Sequence, residues 1–298
     1  MKRIPAFLRN ERLKDYSTFD IGGPARFLVA VTSIQELEEA LAFAKDENLP
    51  VLSIGKGSNC LFHDEGFYGL AVVNRLSFLQ KKEECFFEAG AGFSFAQMGR
   101  LSAKEGFSGL EFAAGIPASL GGAIYMNAGA SGQETKDVLR EVTTINHEGK
   151  ISKYNAKDLA FGYRFSSFQE KKEIICSALL QLSRSPLAYN TMKEKEEYRL
   201  KTQPYAEKSI GCFFRNPPGT SAGKLIEQAG LKGYAIGGAA VSELHANFII
   251  NSLEATAEQV RQLALVIVQK VLQHSGIRLE SEVKIIDPYG NSLPLLME

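Results

Sequence analysis

The chain has 298 residues, 45% hydrophobic and 23% charged, with 34 Lys+Arg balanced by 34 Asp+Glu for a formal net charge of zero. A globular chain of this length buries most of the surface that unfolding exposes, so it needs no disulfide or metal staple. The even charge balance argues against a protein built to coat nucleic acid or an acidic membrane. The four cysteines, Cys60, Cys85, Cys176 and Cys212, form no CxxC pair and no metal-ligand spacing with histidine. They therefore give no sign of a zinc site or a disulfide framework. Residues 1–12 carry basic side chains but no apolar h-region, so no secretory signal is expected. The aliphatic run 264–268 is far short of the roughly 18 residues of a membrane span. Free cysteines without an export signal fit the cytoplasm.

In chain order, 26–31 (RFLVAV) reads as a strand, and Ser33 with Glu36 three residues on reads as a capping box. Leu37, Ala40, Leu41 and Ala44 then keep helical spacing to about Glu47. Pro50 restarts the chain, 51–54 is a second strand, and Gly55-Lys56-Gly57-Ser58-Asn59 closes it as a loop. Residues 70–73 form a short strand; 85–88 open a β-type stretch, followed by a helix over about 94–104. The segment 109–132 is rich in Gly and Ala, with few residues able to drive a packed helix. Residues 143–154 alternate around Glu148-Gly149 as a hairpin, and 174–182 is a further strand. The polar stretch 185–203 is helical in character, stops at Pro204 and marks the clearest domain boundary. A short helix over 221–230, a strand over 246–251, an amphipathic helix over 256–276 and a strand over 279–286 complete the chain. Val260, Leu263, Ile267 and Leu272 are among the apolar residues of that long helix. This mixture of strands and helices defines an α/β or α+β protein.

The loop 55–59 follows a strand, where backbone amides and bare glycines can cradle a phosphate. It is neither GxGxxG nor a Walker loop, and taken alone the reading of a tight turn between strands is favoured. A second loop, 115–132, carries Gly115, Gly121, Gly122, Gly129 and Gly132. Two such loops fit a long ligand, of dinucleotide length, lying along bare backbone, with some glycines serving close packing instead. Further on, 209–217 sets a thiol, a cation, an amide and two aromatics beside a turn. The usual role of a cysteine is a small buried hydrophobe, but Cys212 after Gly211 can also be a nucleophile or an acid.

Eight segments together resemble the UDP-N-acetylenolpyruvoylglucosamine reductase family. They are 16–25 (YSTFDIGGPA), 53–59 (SIGKGSN), 115–132, 162–168 (GYRFSSF), 211–217 (GCFFRNP), 221–233 (SAGKLIEQAGLKG), 242–251 (SELHANFIIN) and 276–283 (GIRLESEV). The resemblance implies an α+β fold of the vanillyl-alcohol-oxidase (PCMH) type, with two α/β flavin-binding subdomains at 1–75 and 76–190. A C-terminal α+β substrate-binding domain follows at 191–298. It implies noncovalent FAD, NADPH as hydride donor, UDP-N-acetylenolpyruvoylglucosamine as substrate, and a cytoplasmic monomer with no nucleic-acid or membrane partner. The length resembles the type II branch, which lacks an extra substrate-closing segment.

Carried over residue by residue, the resemblance assigns Arg164, Cys212 and Glu282 to catalysis. It assigns Gly55, Lys56, Gly57, Ser58, Asn59, Gly115, Ile116, Pro117, Ser119, Gly121, Gly122, Asn127, Ala128 and Gly129 to the cofactor. Arg215, Asn216, Gln203 and Lys224 are expected at the substrate, and no metal is implied. His245 and Asn247 also match a family motif, with a structural role for the histidine equally in view. Two departures stand out: Cys212 occupies a position where serine is common, and Ser131 one where a tyrosine is frequent. A thiol, with an ordinary pKa of about 8.5, is mostly protonated at neutral pH and is a far stronger acid than a serine hydroxyl.

Overall fold

The computed structural model describes residues 6–295, so the first five residues of the segment assessed for a secretory signal lie outside the described residues. The chain divides into two compact units. One gathers Val29–Lys56 and Val72–Lys201; the other gathers Leu8–Leu28, Gly57–Ala71 and the chain from Thr202 onward.

The first unit is built on a five-stranded antiparallel sheet. Its order is Ile151–Asn155, Leu139–Asn146, Glu173–Gln181, Phe86–Gly90, Leu79–Glu83. The expected hairpin is present, and Gly149 takes φ +83° in its turn, a conformation that costs glycine nothing. The β-type stretch expected from residue 85 is strand Phe86–Gly90, and Cys85 sits in the turn that joins it to Leu79–Glu83, a strand the sequence reading did not name. Phe87, Phe95, Phe107, Phe112 and Phe168 fill the core under this sheet.

Helices Ile34–Asp46 and Phe95–Lys104 start at Ser33 and Ser94, whose hydroxyls accept from the N–H groups of Glu36 and Gln97. The Glu36 carboxylate reaches back to the N–H and hydroxyl of Thr32, at 2.6 and 2.8 Å. The glycine-rich segment does hold one short helix, Leu120–Tyr125. The Ser119 hydroxyl caps it by accepting from Gly122 N–H at 3.2 Å, so a local cap offsets weak helix propensity there. Helix Ala188–Thr202 ends before Pro204, and buries Ala188 and Met192 against Ala103 and Ala114.

The second unit carries a four-stranded antiparallel sheet, Ser209–Cys212, Phe248–Asn251, Ala239–Val241, Ala235–Ile236. A smaller sheet pairs Lys284–Ile286 parallel with Cys60–Phe62 and antiparallel with Ser292–Leu293. Helix Ala257–Ser275 packs Val260, Leu263, Ala264, Ile267 and Val271 at full burial. Burying each of these larger aliphatic side chains contributes about 1.5–3 kcal/mol. Leu272, expected on that stripe, is 44% exposed. It lies about 100° round the helix from Val271 and so leaves the buried face.

Thr256 and Gln259 form a capping box at the start of this helix, and Gly276 ends it at φ +71°. The Asp64 carboxylate, distant in sequence, accepts from Ala257 and Glu258 N–H at 2.7 and 3.1 Å. The expected strand over 279–286 shortens to Lys284–Ile286. Residues 280–282 are committed instead to irregular pairing with 213–215.

Candidate active site

Each unit brings together its own group of the expected site residues. In the first unit, Gly55 and Lys56 follow strand Val51–Ile54. A Cβ on Gly55 would overlap the Ser119 hydroxyl, so only glycine lets these two loops meet. Lys56 Nζ donates to Ser94 Oγ at 2.9 Å, and Ser94 bridges Ser119 in the main chain. Burial, and then the Arg100 guanidinium, hold the Lys56 ammonium below its ordinary range. An anion beside it would relieve both effects.

The glycines of the second loop separate by role. A Cβ on Gly121 would stand 2.9 Å from the Ala91 Cβ, and one on Gly129 would stand 2.5 Å from the Gln133 carbonyl oxygen. These two are required by packing. A Cβ on Gly122 would meet only Ser119 Oγ, at 3.3 Å, so this glycine presents bare backbone. Gly115 is buried, Ile116 half-buried and Pro117 exposed. Asn127 is fully buried at φ +42°, and its amide hydrogens go to Glu134 and the Gly162 carbonyl, at 3.0 and 2.9 Å. Its Oδ1 accepts from Lys136 N–H at 3.1 Å, so the side chain is occupied within the fold. Ala128 accepts from the N–H and hydroxyl of Thr135. Arg164, at φ +55°, donates to the Gly129 carbonyl at 3.0 Å and stacks its guanidinium 4.9 Å from the Tyr163 ring centroid. The GYRF segment is thereby fastened to the glycine loop. Ser131 takes φ +54° in the tight turn beyond it.

In the second unit, Gly57 is a packing glycine. It has φ +60°, a Cβ would overlap the Tyr16 carbonyl oxygen, and its own carbonyl accepts from Ser17 Oγ and Thr18 N–H. The segments 16–25 and 53–59 thus meet at this point. Ser58 and Asn59 are half-buried. Asn59 Nδ2 donates to the Glu282 carbonyl at 3.3 Å, and its carbonyl accepts from Lys284 N–H at 3.0 Å.

Cys212 ends strand Ser209–Cys212 after a β-bulge at Gly211, φ +82°. Bulges commonly re-aim a side chain beside a functional site. Glu282 N–H donates to the Phe213 carbonyl, and Arg215 N–H donates to the Glu280 carbonyl, both at 2.9 Å. This short ladder sets Cys212 and Glu282 on adjacent segments. Asn247 holds it from the other side: its Oδ1 accepts from Phe214 N–H at 2.9 Å, and its Nδ2 donates to the Phe214 carbonyl at 2.8 Å. His245 Nδ1 accepts from Asn247 N–H at 3.2 Å, which places any ring proton of a neutral imidazole on Nε2. The family-matching His245 and Asn247 therefore act here through the backbone.

Arg215 is half-buried and Asn216 exposed, with Asn216 Oδ1 accepting from Ala222 N–H at 3.0 Å. Lys224 is exposed on helix Ala222–Gln228, and Gln203 is half-buried just past helix Ala188–Thr202. Sequence reading missed Ser94, the partner of Lys56, although its N-cap position was legible. Among the described residues, no group of three or more His, Cys, Asp and Glu stands together as a metal site.

A family model for the UDP-N-acetylenolpyruvoylglucosamine reductase C-terminal domain matches residues 203–286, and an FAD binding domain model matches 25–155. The reductase of that name from Chlamydia pneumoniae is 50% identical over 281 residues, covering 94% of this chain and 92% of its own. The chain belongs to the UDP-N-acetylenolpyruvoylglucosamine reductase family.

The Protochlamydia amoebophila reductase is 47% identical over 289 residues, covering 97% of this chain and 96% of its own. The crystal structure of UDP-N-acetylenolpyruvylglucosamine reductase from Thermus caldophilus superposes with a TM-score of 0.81 at 36% identity. It spans 95% of this chain and 99% of that one. The FAD binding match, ahead of the family's C-terminal domain, and the mixed strand and helix content agree with the expected α+β class and its flavin-binding region. The residues also fit the cofactor of a UDP-N-acetylenolpyruvoylglucosamine reductase. Bare backbone at Gly122, the Ser94 hydroxyl and the Lys56 ammonium form a donor set suited to a phosphate-bearing dinucleotide.

Proposed function

We propose that this chain reduces the enolpyruvyl ether of UDP-N-acetylenolpyruvoylglucosamine to the lactyl ether of UDP-N-acetylmuramate, with NADPH as the hydride source, in peptidoglycan synthesis. The reaction belongs to the oxidoreductases that act on a CH–CH bond. The observation that carries the assignment is membership of this family, and the bond from Glu282 N–H to the carbonyl of Phe213, the residue after Cys212, supports the roles given below. Noncovalent FAD, when bound, supplies hydride transfer between the nicotinamide and the vinyl carbon of the substrate. Gly55, Lys56, Ser119 and Gly122 would hold it, with the backbone of 57–59, 115–117 and 127–129. We assign 1–75 and 76–190 to the flavin-binding halves and 191–298 to substrate binding, in a chain acting as a cytoplasmic monomer.

The protein manages charge and the proton. Addition of hydride at C3 pushes negative charge onto the substrate carboxylate, and Arg164 is the cation that stabilises it. Glu282 would repel that charge if ionised, so it works protonated or sharing a proton at this step. The Cys212 S–H bond then breaks and a C–H bond forms at C2. The thiolate regains its proton from solvent, giving product and NADP⁺ from substrate, NADPH and one proton. Arg215, Asn216, Gln203 and Lys224 are assigned to the nucleotide-sugar.

The test is the visible spectrum of the purified protein, followed by bleaching with NADPH and recovery on adding substrate. Recovery with UDP-N-acetylenolpyruvoylglucosamine and none with simple alcohols is expected. A colourless protein that cannot be reconstituted with FAD, or recovery with generic alcohols, overturns the assignment.

A further inference from the structure

The turn that carries Arg164 holds a backbone conformation that its residue type does not favour. Phe161 pairs with Ser166 and Gly162 with Phe165, which leaves Tyr163 and Arg164 as a two-residue hairpin loop. Arg164 takes φ +55° there. A second central turn residue in the left-handed region is ordinarily glycine or asparagine, because a larger side chain crowds its own carbonyl. A residue held against that preference persists where its surroundings over-determine it, and such residues cluster at functional sites.

The surroundings of Arg164 are specific. Gln169 Nε2 donates to the Arg164 carbonyl at 3.0 Å and to the Tyr125 carbonyl at 2.9 Å. A single side-chain amide thus fastens the strained residue to the end of helix Leu120–Tyr125, in the glycine-rich segment. Gln169 closes the short helical turn Ser167–Gln169, whose middle residue, Phe168, is fully buried in the core. Ser167 N–H donates to the Ala160 carbonyl at 2.9 Å, which ties the same turn to the chain entering the hairpin. On the flanks, Ser166 Oγ donates to the Tyr125 carbonyl at 2.8 Å and Asn127 Nδ2 to the Gly162 carbonyl at 2.9 Å. Of these bonds, the one from Gln169 falls on the strained residue itself.

We propose that Gln169 is a positioning residue for the reaction: it holds the Arg164 backbone in the left-handed conformation from which the guanidinium meets the substrate carboxylate. The proposal rests on the reductase assignment and on the role given there to Arg164. Preorganised charge works only in place, so a loosened turn stabilises the developing anion less well. That anion forms when hydride reaches the substrate and not when NADPH reduces the flavin. Loss of the Gln169 amide therefore slows the second half-reaction and spares the first.

Stopped-flow absorbance of the holoenzyme, expressed per bound flavin, compares wild type, Gln169→Leu, Arg164→Ala and the double variant. Gln169→Leu roughly keeps the side-chain volume and loses both donated bonds. It is expected to leave bleaching by NADPH within about twofold and to slow reoxidation by saturating UDP-N-acetylenolpyruvoylglucosamine about tenfold or more. In the Arg164→Ala background the same substitution is expected to change reoxidation by less than about twofold, since a residue that acts through Arg164 then has nothing to position. A glutamine that only supports the fold would lower FAD content or the unfolding midpoint and would not single out one half-reaction.

Normal reoxidation in Gln169→Leu, beside slowed reoxidation in Arg164→Ala, overturns this proposal and leaves the role of Arg164 standing. An equal loss in both backgrounds overturns it, as does equal slowing of bleaching and reoxidation. Should Gln169→Leu not fold, Gln169→Asn keeps the amide and shortens its reach by a methylene. Selective slowing of reoxidation there supports the proposal, and normal reoxidation overturns it. Normal reoxidation in Arg164→Ala, or a wild type that substrate does not reoxidise, fails the parent assignment, and this proposal with it.

Discussion

Replacing Asn247 with alanine removes the clamp on the segment next to Cys212. Asn247 is 2% exposed and Phe214 is 1% exposed, so water cannot readily take the place of the lost amide. The substitution leaves two buried backbone groups, Phe214 N–H and Phe214 C=O, without the partners they now have at 2.9 and 2.8 Å. An unsatisfied buried group costs about 1–3 kcal/mol, so the pair sums to about 2–6 kcal/mol, with about 3 as the central expectation. Asn247→Asp keeps the acceptor but turns a carboxylate oxygen toward the Phe214 carbonyl in a buried site, so it should cost at least as much as Asn247→Ala. Guanidinium unfolding of the three proteins tests the ranking. Hydrogen exchange at the Phe214 amide tests the location, with about a tenfold loss of protection per 1.4 kcal/mol of local opening. Because the Phe213 carbonyl accepts from Glu282 N–H, substrate-driven reoxidation of the flavin should slow more than its reduction by NADPH. A destabilisation below about 1 kcal/mol with Phe214 still protected would refute the reasoning.

Cys212→Ala should allow normal flavin reduction by NADPH and block reoxidation by substrate, whereas Cys212→Ser should keep appreciable activity; stopped-flow absorbance separates the two half-reactions, and normal reoxidation in Cys212→Ala would remove the thiol from the mechanism. Gly57→Ala should destabilise by about 3 kcal/mol or more, since it combines positive φ with overlap of the Tyr16 carbonyl oxygen. Gly219→Ala, at φ +77° with open space around it, should cost only about 1 kcal/mol, and a midpoint shift equal to that of Gly57→Ala would refute the distinction. Burial pushes the Cys60 thiol up to about 11 against the pull of Lys284, and pushes the Cys176 thiol up to about 12, with Glu38 adding to the rise. At pH 8 their thiolate fractions are then about one in a thousand and one in ten thousand, so iodoacetamide should label neither in the native protein while labelling both once unfolded. The folded state holds these protons more tightly than the unfolded one. Their contribution is therefore complete below the ordinary value of 9.0 and is lost as pH climbs from there toward about 11 and 12, so a midpoint that rose over this range would contradict the assignment.

Local chemistry wrote much of this protein into its sequence. Ser33, Ser94 and Thr256 each begin the helix that their spacing announces, and Gly276 ends the last one, because capping needs only neighbours along the chain. The hairpin at Gly149 and the eight ordered motifs that disclosed the family were legible for the same reason: residue types at short spacing carry them. What the sequence left open depends on partners far away in the chain. The roles of Gly57, Gly121 and Gly122 look alike as letters. They separate once the Tyr16 backbone, Ala91 and no more than the Ser119 hydroxyl are seen to stand where a Cβ would go. Leu272 left its expected stripe because the buried face is set by what packs there, and the strand expected over 279–286 was cut short by pairing with 213–215. The same nonlocal ladder decided that the segments carrying Cys212 and Glu282 would be adjacent.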